Sequence, residues 1–391
     1  MNPEVIPISS HSAYSNQAWI EQAQILAKLF DERAARYDSN GDFVAENYQL
    51  LKAHRFFSMP VAEQFGGGGA DYQTLCTVVR TIGRHCGSTA LAYAMHAHPL
   101  VANLFKALRG DEKGRATVEK VAANELIIAG TGANDWLQSS GTATPVKGGF
   151  RINAHKHFVS GGPGADVFVT SAVIHADERS AEDGSAAPDQ VMHFSVPFSA
   201  PGIRIADNWR ALGMRGTGSN DVLMENVFVP EEAVVVKRPV GQWHPMWDVI
   251  LPIALPIVVS CYVGVAEAAL EQALHAASGK DFLAAEVGQL KNELTVAQLA
   301  LDDMIARNDN LQFTPSIDNT DAILSRKTIA TTAVKNSVEY AASIVGGPGF
   351  FQGHPMERII RDSRAIHFHP LPEKRQQIFS GRRAMGLESL V

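Results

Sequence analysis

The sequence is poor in cysteine. Cys76, Cys86 and Cys261 are the only three, an odd number at wide and irregular spacing. That pattern speaks against a disulfide framework or a zinc site and fits buried thiols in a reducing compartment, so a cytoplasmic protein with no metal centre is expected. A basic surplus is also missing. Lys and Arg number 34 against 41 Asp and Glu, a formal net charge of −7. With the basic residues scattered, no face can neutralise a run of phosphates, and nucleic acid is not expected as a partner. The amino terminus shows no basic segment followed by an apolar core, so it does not read as a secretory signal. One long apolar stretch exists, Val249 to Val265. It contains Pro252, Pro256, Ser260 and Gly264 and falls short of the roughly 20 residues that a bilayer needs, so it reads as a buried core helix rather than a membrane span.

What is present is enough apolar material, 46% of 391 residues, to fill the core of a large globular protein. Three textures follow one another. Residues 1–125 read as an N-terminal helical domain, with apolar spacing of three and four from Asn16 and again from Phe43, Tyr72 and Ser88. Residues 126–235 read as a central β domain of short Val-, Ile-, Phe- and Thr-rich runs (LIIAGT, GFRINA, KHFVS, DVFVTSAVI, QVMHFSV, DVLMENVFV) separated by Gly, Pro and Asp. A polar insert from Asp177 to Gln190 reads as an exposed hairpin loop inside it. Residues 236–391 hold three long amphipathic runs with short connections and a shorter one after Pro372, which predicts a C-terminal four-helix bundle. The expected class is therefore α+β.

The glycine run FGGGGAD, Phe65 to Asp71, neither follows a strand nor matches G-x-G-x-x-G. A turn between helices is the better reading than a dinucleotide site.

Five segments in order carry a wider resemblance: MPVAEQFGGGGADY with the helix TVVRTIGRHCGSTALAYAMHAH; GTGAND; KHFVSGGPGADVFV; WRALGMRGTGSNDVLMENVFVPEEAV; and SIVGGPGFFQGHPMERIIRDSR. Together they resemble the acyl-CoA dehydrogenase superfamily over nearly the whole chain. The resemblance implies FAD, with FMN the other candidate, held between a central β-barrel or sandwich and the C-terminal bundle of a homotetramer or dimer. It places Phe158 and Ser160 beside the isoalloxazine ring, which needs an apolar wall and donors aimed at its polar edge. Ala133 and Asn134, with Asp135, fall in the loop over flavin and substrate. Gly346, Gly347 and Gly349 match a glycine turn against the nucleotide moiety, and they also read as a cap on the helix ending near Val345. Arg215 falls in the turn shaping the substrate pocket. Arg361 and Asp362 match an Arg-Asp pair that reads as a structural ion pair.

The chain departs from that family at three points. Ser278 to Leu283, SGKDFL, lacks the arginine that clamps the flavin diphosphate, which suits a flavin that arrives and leaves. The two positions where the family carries its catalytic glutamate hold Pro370 and Ala254, and neither can remove an α-proton. Histidines stand nearby instead. His369 and His96 are the candidate catalytic residues, and His367 and His98 the candidate substrate-binding residues beside Arg215. Glu373 and Asp248 are the nearest alternative bases. A histidine next to the missing glutamate resembles the flavin-dependent monooxygenase branch, whose members take reduced flavin from a reductase and act on phenols, amines or sulfur heterocycles. A dehydrogenase or oxidase with a displaced base, and a scaffold without catalysis, remain open at this point.

Overall fold

The computed structural model describes residues 14–131, 135, 137–176 and 189–387. Five helices come first: α1 (Asn16–Asn40), α2 (Ala45–Ala53), α3 (Tyr72–His85), α4 (Gly87–Ala107) and α5 (Glu112–Asn124). Three of them start on a capping side chain. The side chains of Ser15, Asp71 and Asp111 accept hydrogen bonds from the backbone N–H groups of Ala18, Thr74 and Gly114, which would otherwise be unpaired in the first turn. The glycine cluster makes the expected turn into α3, with Gly66 and Gly69 at φ +83° and +70°.

Eight strands follow: β1 (Ile128–Gly130), β2 (Thr142–Val146), β3 (Gly149–Lys156), β4 (Val167–Ile174), β5 (Gln190–Pro197), β6 (Ile203–Ile205), β7 (Val222–Pro230) and β8 (Val234–Pro239). They form one sheet in the order β6-β7-β3-β2-β4-β5-β8, with β1 parallel to β4. Its inner face carries Phe150, Ile152, Phe168, Met192, Phe194 and Val227, which close into a separate β core. Two expectations change here. GFRINA and the following His-Lys are a single strand, and the chain leaves β3 at His157, so Phe158 and Ser160 stand on a loop. Strands β2, β6 and β8 escape the apolar pattern because most of their side chains are exposed or half-exposed, which weakens period-two alternation. Strands β4 and β5 pair antiparallel out to Ile174 and Gln190, as a hairpin requires. Residues 177–188 of the predicted insert lie outside the described residues.

The helices then return as α6 (Trp247–Ala277), α7 (Ala284–Asn308), α8 (Ile317–Val345), α9 (Pro355–Ser363) and α10 (Glu373–Ala384), the last being the short helix predicted after Pro372. Helices at the two ends of the chain share one core. Phe30, Leu75, Val79 and Ile82 from the first set join Ile257, Val263, Leu324 and Val334 from the second. Helix α6 is long and apolar enough to cross a membrane by length and composition, yet 89% of its most apolar stretch is buried inside the fold. It tolerates two internal prolines because its neighbours repair the backbone. Pro256 has no N–H to give to the carbonyl of Pro252, and Asn308 Nδ2 donates to that carbonyl at 3.3 Å instead.

Helices α3 and α6 meet backbone to backbone through two glycines. A Cβ on Gly264 would lie 2.2 Å from the Arg80 carbonyl oxygen, and one on Gly83 would lie 2.4 Å from that of Cys261. Gly264→Ala is therefore expected to destabilise the fold by about 1–3 kcal/mol through overpacking. Gly288→Ala, on α7 with no atom within 4 Å of the new methyl group, should stabilise by about 0.5–1 kcal/mol through the lower entropy of the unfolded chain. Urea unfolding of the two variants checks the opposite signs.

Candidate active site

A cavity of about 400 Å³ lies where the β domain meets helices α4 and α6. One stripe of α6 supplies Leu251, Ala254, Leu255 and Val258, spaced three and four apart so that they share a face. Helix α4 supplies Leu91, Met95 and His98 by the same spacing. The loop after β3 adds Phe158 and Ser160, the segment before β7 adds Trp209 and Ala211 to Met214, and the turn before α10 adds Phe368, His369 and Pro370. Among the described residues that line it, none is Asp or Glu. Ala254 and Pro370, the two positions singled out in the sequence, both stand on this wall. The alternative bases do not. Asp248 is buried, accepting from Thr320 Oγ1 at 2.8 Å and Trp243 Nε1 at 3.3 Å, and Glu373 is exposed at the start of α10.

His369 is held from two sides. Its Nε2 lies 2.7 Å from the hydroxyl of Tyr262 on α6. Its backbone carbonyl and that of Leu371 each accept from Lys327 Nζ at 3.0 Å. Burial, with the Lys327 charge and His98 behind it, pushes the His369 imidazole down to about 3. Burial also pushes the Tyr262 phenol well above its ordinary value. At neutral pH a neutral imidazole therefore faces a protonated phenol. The phenol is the better donor and the imidazole nitrogen the better acceptor, so Tyr262 donates to Nε2 and the ring proton sits on Nδ1. His369 can then offer the cavity an N–H. Burial, with a smaller contribution from His96, pushes His98 down to about 4, and its Nδ1 is buried with no hydrogen-bond partner among the described residues.

A second polar element is a hydroxyl chain. Ser160 Oγ is 2.7 Å from Ser219 Oγ, which is 2.6 Å from Thr217 Oγ1. The threonine donates to the carbonyl of Met214 at 2.8 Å. A carbonyl only accepts, so the direction propagates: Ser219 donates to Thr217 and Ser160 donates to Ser219. Ser160 is left with lone pairs and no spare proton to present to the cavity.

His96 is corrected by the structure. It is buried, its Nε2 lies 2.8 Å from the carbonyl oxygen of Phe57, and its Nδ1 accepts from the Ile128 N–H at 2.9 Å. Both nitrogens are spent on backbone, tying α4 to β1, and the ring does not line the cavity. Arg215 donates through Nε to the Ala211 carbonyl at 3.0 Å and is likewise off the wall, as is half-buried His367. Gly346, Gly347 and Gly349 end α8, with the Gly346 N–H donating to the Ala342 carbonyl at 2.9 Å, and none of them lines the cavity. Ala133 and Asn134 lie outside the described residues. Their neighbour Asp135 is buried and pairs with the fully buried Lys156 at 2.8 Å.

The Arg-Asp pair is not a pair with each other. Arg361 bridges to Asp38 on α1 and Glu357 on α9. Asp362 is buried and accepts the backbone N–H of Met214 on the cavity wall. Arg361 and Arg364 both line the cavity, but each has a carboxylate partner, Glu339 in the case of Arg364. Sequence reasoning missed Tyr262 and Lys327. A lysine facing the core of α8 was the available signal for the second, and nothing marked the first inside a helix buried on every side.

A helical region, a β domain and a helical bundle thus surround an apolar cavity whose described polar groups are neutral hydrogen-bonding side chains and two ion-paired arginines, an arrangement suited to an enzyme. The chain matches the acyl-CoA dehydrogenase N-terminal domain over residues 20–125, the middle domain over 129–227 and the C-terminal domain over 257–372. It belongs to the acyl-CoA dehydrogenase family and is a flavin-dependent oxidoreductase. It is 26% identical to a dibenzothiophene monooxygenase of Mycolicibacterium goodii over 389 residues, covering 90% of this chain and 89% of that one. It is 24% identical to an acyl-CoA dehydrogenase of Bacillus subtilis (strain 168) over 358 residues, covering 87% and 90%. The structure of KijD3 in complex with FMN and a dTDP-linked amino keto sugar superposes with a TM-score of 0.85 at 22% identity, covering 96% of this chain and 95% of that one.

The depressed histidines make stability depend on pH. Above about pH 6.5 the rings of His98 and His369 are neutral in both folded and unfolded chains. Below it the unfolded chain binds protons that the folded chain refuses until about pH 4 at His98 and about pH 3 at His369, so stability falls as pH drops through that window. Replacing His98 with leucine is expected to recover roughly 2 kcal/mol at pH 5 relative to pH 7. Urea midpoints of the native chain and the variant at the two pH values measure it.

Proposed function

We propose that this chain is the oxygenase component of a two-component flavin monooxygenase. In this reading it receives reduced flavin, FMN or FAD, from a separate reductase and oxygenates a neutral, flat aromatic or sulfur heterocycle. The observation that carries it is the carboxylate-free wall among the described residues: desaturating an acyl-CoA needs a base for the α-proton, and Ala254 and Pro370 stand where one would act.

The residues present fit a flavin. Phe158 is half exposed on the wall and 5.8 Å from Trp209, an aromatic surface for a flat ring. Ser160 offers only acceptor lone pairs, the complement of the N–H that an isoalloxazine ring carries at N5 when reduced and lacks when oxidised. When bound, reduced flavin supplies the two electrons that let one atom of dioxygen enter the substrate while the other leaves as water. The chain's own part is positioning and exclusion of water. The side chains from α4 and α6 keep the cavity dry. His369, neutral and fixed by Tyr262 and Lys327, donates its Nδ1–H to oxygen in the cavity rather than acting as a base. His98 Nδ1, unpartnered, is available to a polar atom of the substrate. Among the described residues of the wall no charge stands without a partner, which favours neutral substrates over anionic ones. The same reading takes the working enzyme to be a cytoplasmic homotetramer, supported by the exposed rings of Phe282, Phe350 and Phe351.

Two assays separate this from a dehydrogenase. With reduced FMN, dibenzothiophene as probe and ¹⁸O₂, labelled sulfoxide or sulfone is expected. His369→Asn should lower it about 10²-fold while reduced flavin is still consumed. Anaerobic bleaching of protein-bound oxidised flavin by a saturated acyl-CoA, with no labelled product in the first assay, would establish the dehydrogenase instead.

A further inference from the structure

Outside the cavity, the end of β3 and the start of β7 bring together a trio that the flavin chemistry does not use. His155 and His157 are two residues apart as the chain runs off β3, so their side chains share one face of the sheet while Lys156 between them points into the core. The antiparallel register sets Lys156 opposite Val222, which brings Asp221 opposite His157. His155 Nε2 lies 2.7 Å from Asp221 Oδ2 and His157 Nδ1 lies 3.0 Å from Asp221 Oδ1. All the potential ligand atoms are within 4.8 Å of one another.

We propose that His155, His157 and Asp221 form a binding site for a divalent transition metal of the zinc type, with a water completing its coordination. Two imidazole nitrogens and one carboxylate oxygen are a borderline donor set, matched to zinc, nickel or copper rather than to magnesium or calcium, which prefer all-oxygen shells. The metal would replace the protons now shared between each ring and the carboxylate. Bond lengths of about 2.0–2.2 Å around an ion put neighbouring ligand atoms a little further apart than the two histidine–carboxylate contacts now are, so small side-chain rotations would open the site to it. The site is reachable, because the histidine side chains are 51% and 40% exposed while the carboxylate is 8% exposed. The carboxylate is also oriented from behind. Asn208 Nδ2 donates to Asp221 Oδ2 at 2.7 Å, and Asn208 Oδ1 accepts the Asp221 backbone N–H at 3.0 Å. That is the outer-shell support which metal-binding carboxylates receive. Burial raises the Asp221 carboxyl, but hydrogen bonds from His157, His155 and Asn208 outweigh it and leave the group below its usual range.

The position gives the ion something to do. His157 precedes Phe158, Asn208 precedes Trp209, and these two aromatic residues meet on the cavity wall. A metal joining Asp221 to the two histidines would brace both of the segments that carry that aromatic surface.

The test uses tag-free full-length protein, stripped on a chelating resin and titrated with zinc chloride in the presence of excess magnesium. One zinc per chain is expected, with a rise in melting temperature. The His155→Ala/His157→Ala double variant should lose both effects, and Asn208→Ala should weaken binding by about tenfold or more. Both sets of changes are at exposed or half-exposed positions, and melting of the metal-free variants verifies that they fold. Failure of the native chain to bind zinc saturably, or equal binding by the double variant, would overturn the proposal and leave the trio as a hydrogen-bonded network.

Discussion

The central stretch of helix α6 cannot face water on any side, and the rest of the fold is arranged around that constraint. From Ile253 to Ala266 every residue is buried. A helix apolar all round must be enclosed, and one bundle at the C-terminal end is not enough to do it. The N-terminal helices α3 and α4 complete the enclosure, which is why two helical regions separated by the whole β domain share a single core. The enclosure works at close range only because Gly83 and Gly264 let the backbones of α3 and α6 touch. It also fixes the cavity. With α6 locked on its other faces, the stripe of Leu251, Ala254, Leu255 and Val258 becomes one wall, and Tyr262, a further turn along, is held within reach of His369.

The opposite wall depends on two adjacent residues that work in different directions. Arg361 reaches outward to Asp38 and Glu357 and also donates to the Leu212 carbonyl at 3.0 Å. Asp362 turns inward to the Met214 N–H, and burial pushes its carboxyl up to about 6. Between their two contacts lies Gly213, where a Cβ would fall 2.3 Å from the Arg361 carbonyl oxygen. The segment 211–214 is thus pinned at Leu212 and Met214 and pressed against α9 at Gly213. The loop carrying Met214 and Trp209 thus gains its position from two charged side chains, of which Arg361 reaches the cavity wall already paired and Asp362 stays off it.

Much of the fold was legible in the residues, and the physics of each success and failure is specific. Helices α1 and α3 were readable because apolar residues recur three and four apart from Asn16 and Tyr72, whereas α5 was not, its buried face being only Gly114, Val118, Val121 and Ala122. The buried strands were readable because one face of the sheet is apolar, and β2, β6 and β8 were not, because few of their side chains are covered. The site was harder. His96 and His98 sit two residues apart on a helix, more than half a turn around its axis, so at most one could face the cavity. Both sides of α4 are packed against protein, hence no polar face in the sequence told which one it was. The structure answers through backbone groups: the Phe57 carbonyl and the Ile128 N–H claim His96 and leave His98 with a nitrogen to spare. Lys327 hides for a related reason. Its partners are the carbonyls of His369 and Leu371, more than 40 residues away, and a contact between a side chain and distant backbone leaves no pattern in spacing.

The cavity is therefore specific by orientation rather than by charge. Its arginines are paired, its two histidines are held neutral, and no carboxylate stands on the described wall. What remains is a set of hydrogen-bond directions, each forced by an anchor outside the cavity. The Met214 carbonyl sets the sense of the Thr217, Ser219 and Ser160 chain, so Ser160 can only accept. The Tyr262 phenol sets the tautomer of His369, so that ring can only donate. An acceptor from the β domain and a donor from the C-terminal bundle thus come to one apolar space, and neither can change its role without breaking a bond to its anchor. Preorganised dipoles of this kind need no reorganisation when charge shifts between bound partners. They also discriminate by penalty: a ligand placing a donor where His369 donates, or an acceptor where Ser160 accepts, would leave two buried groups unpaired, at about 1–3 kcal/mol each.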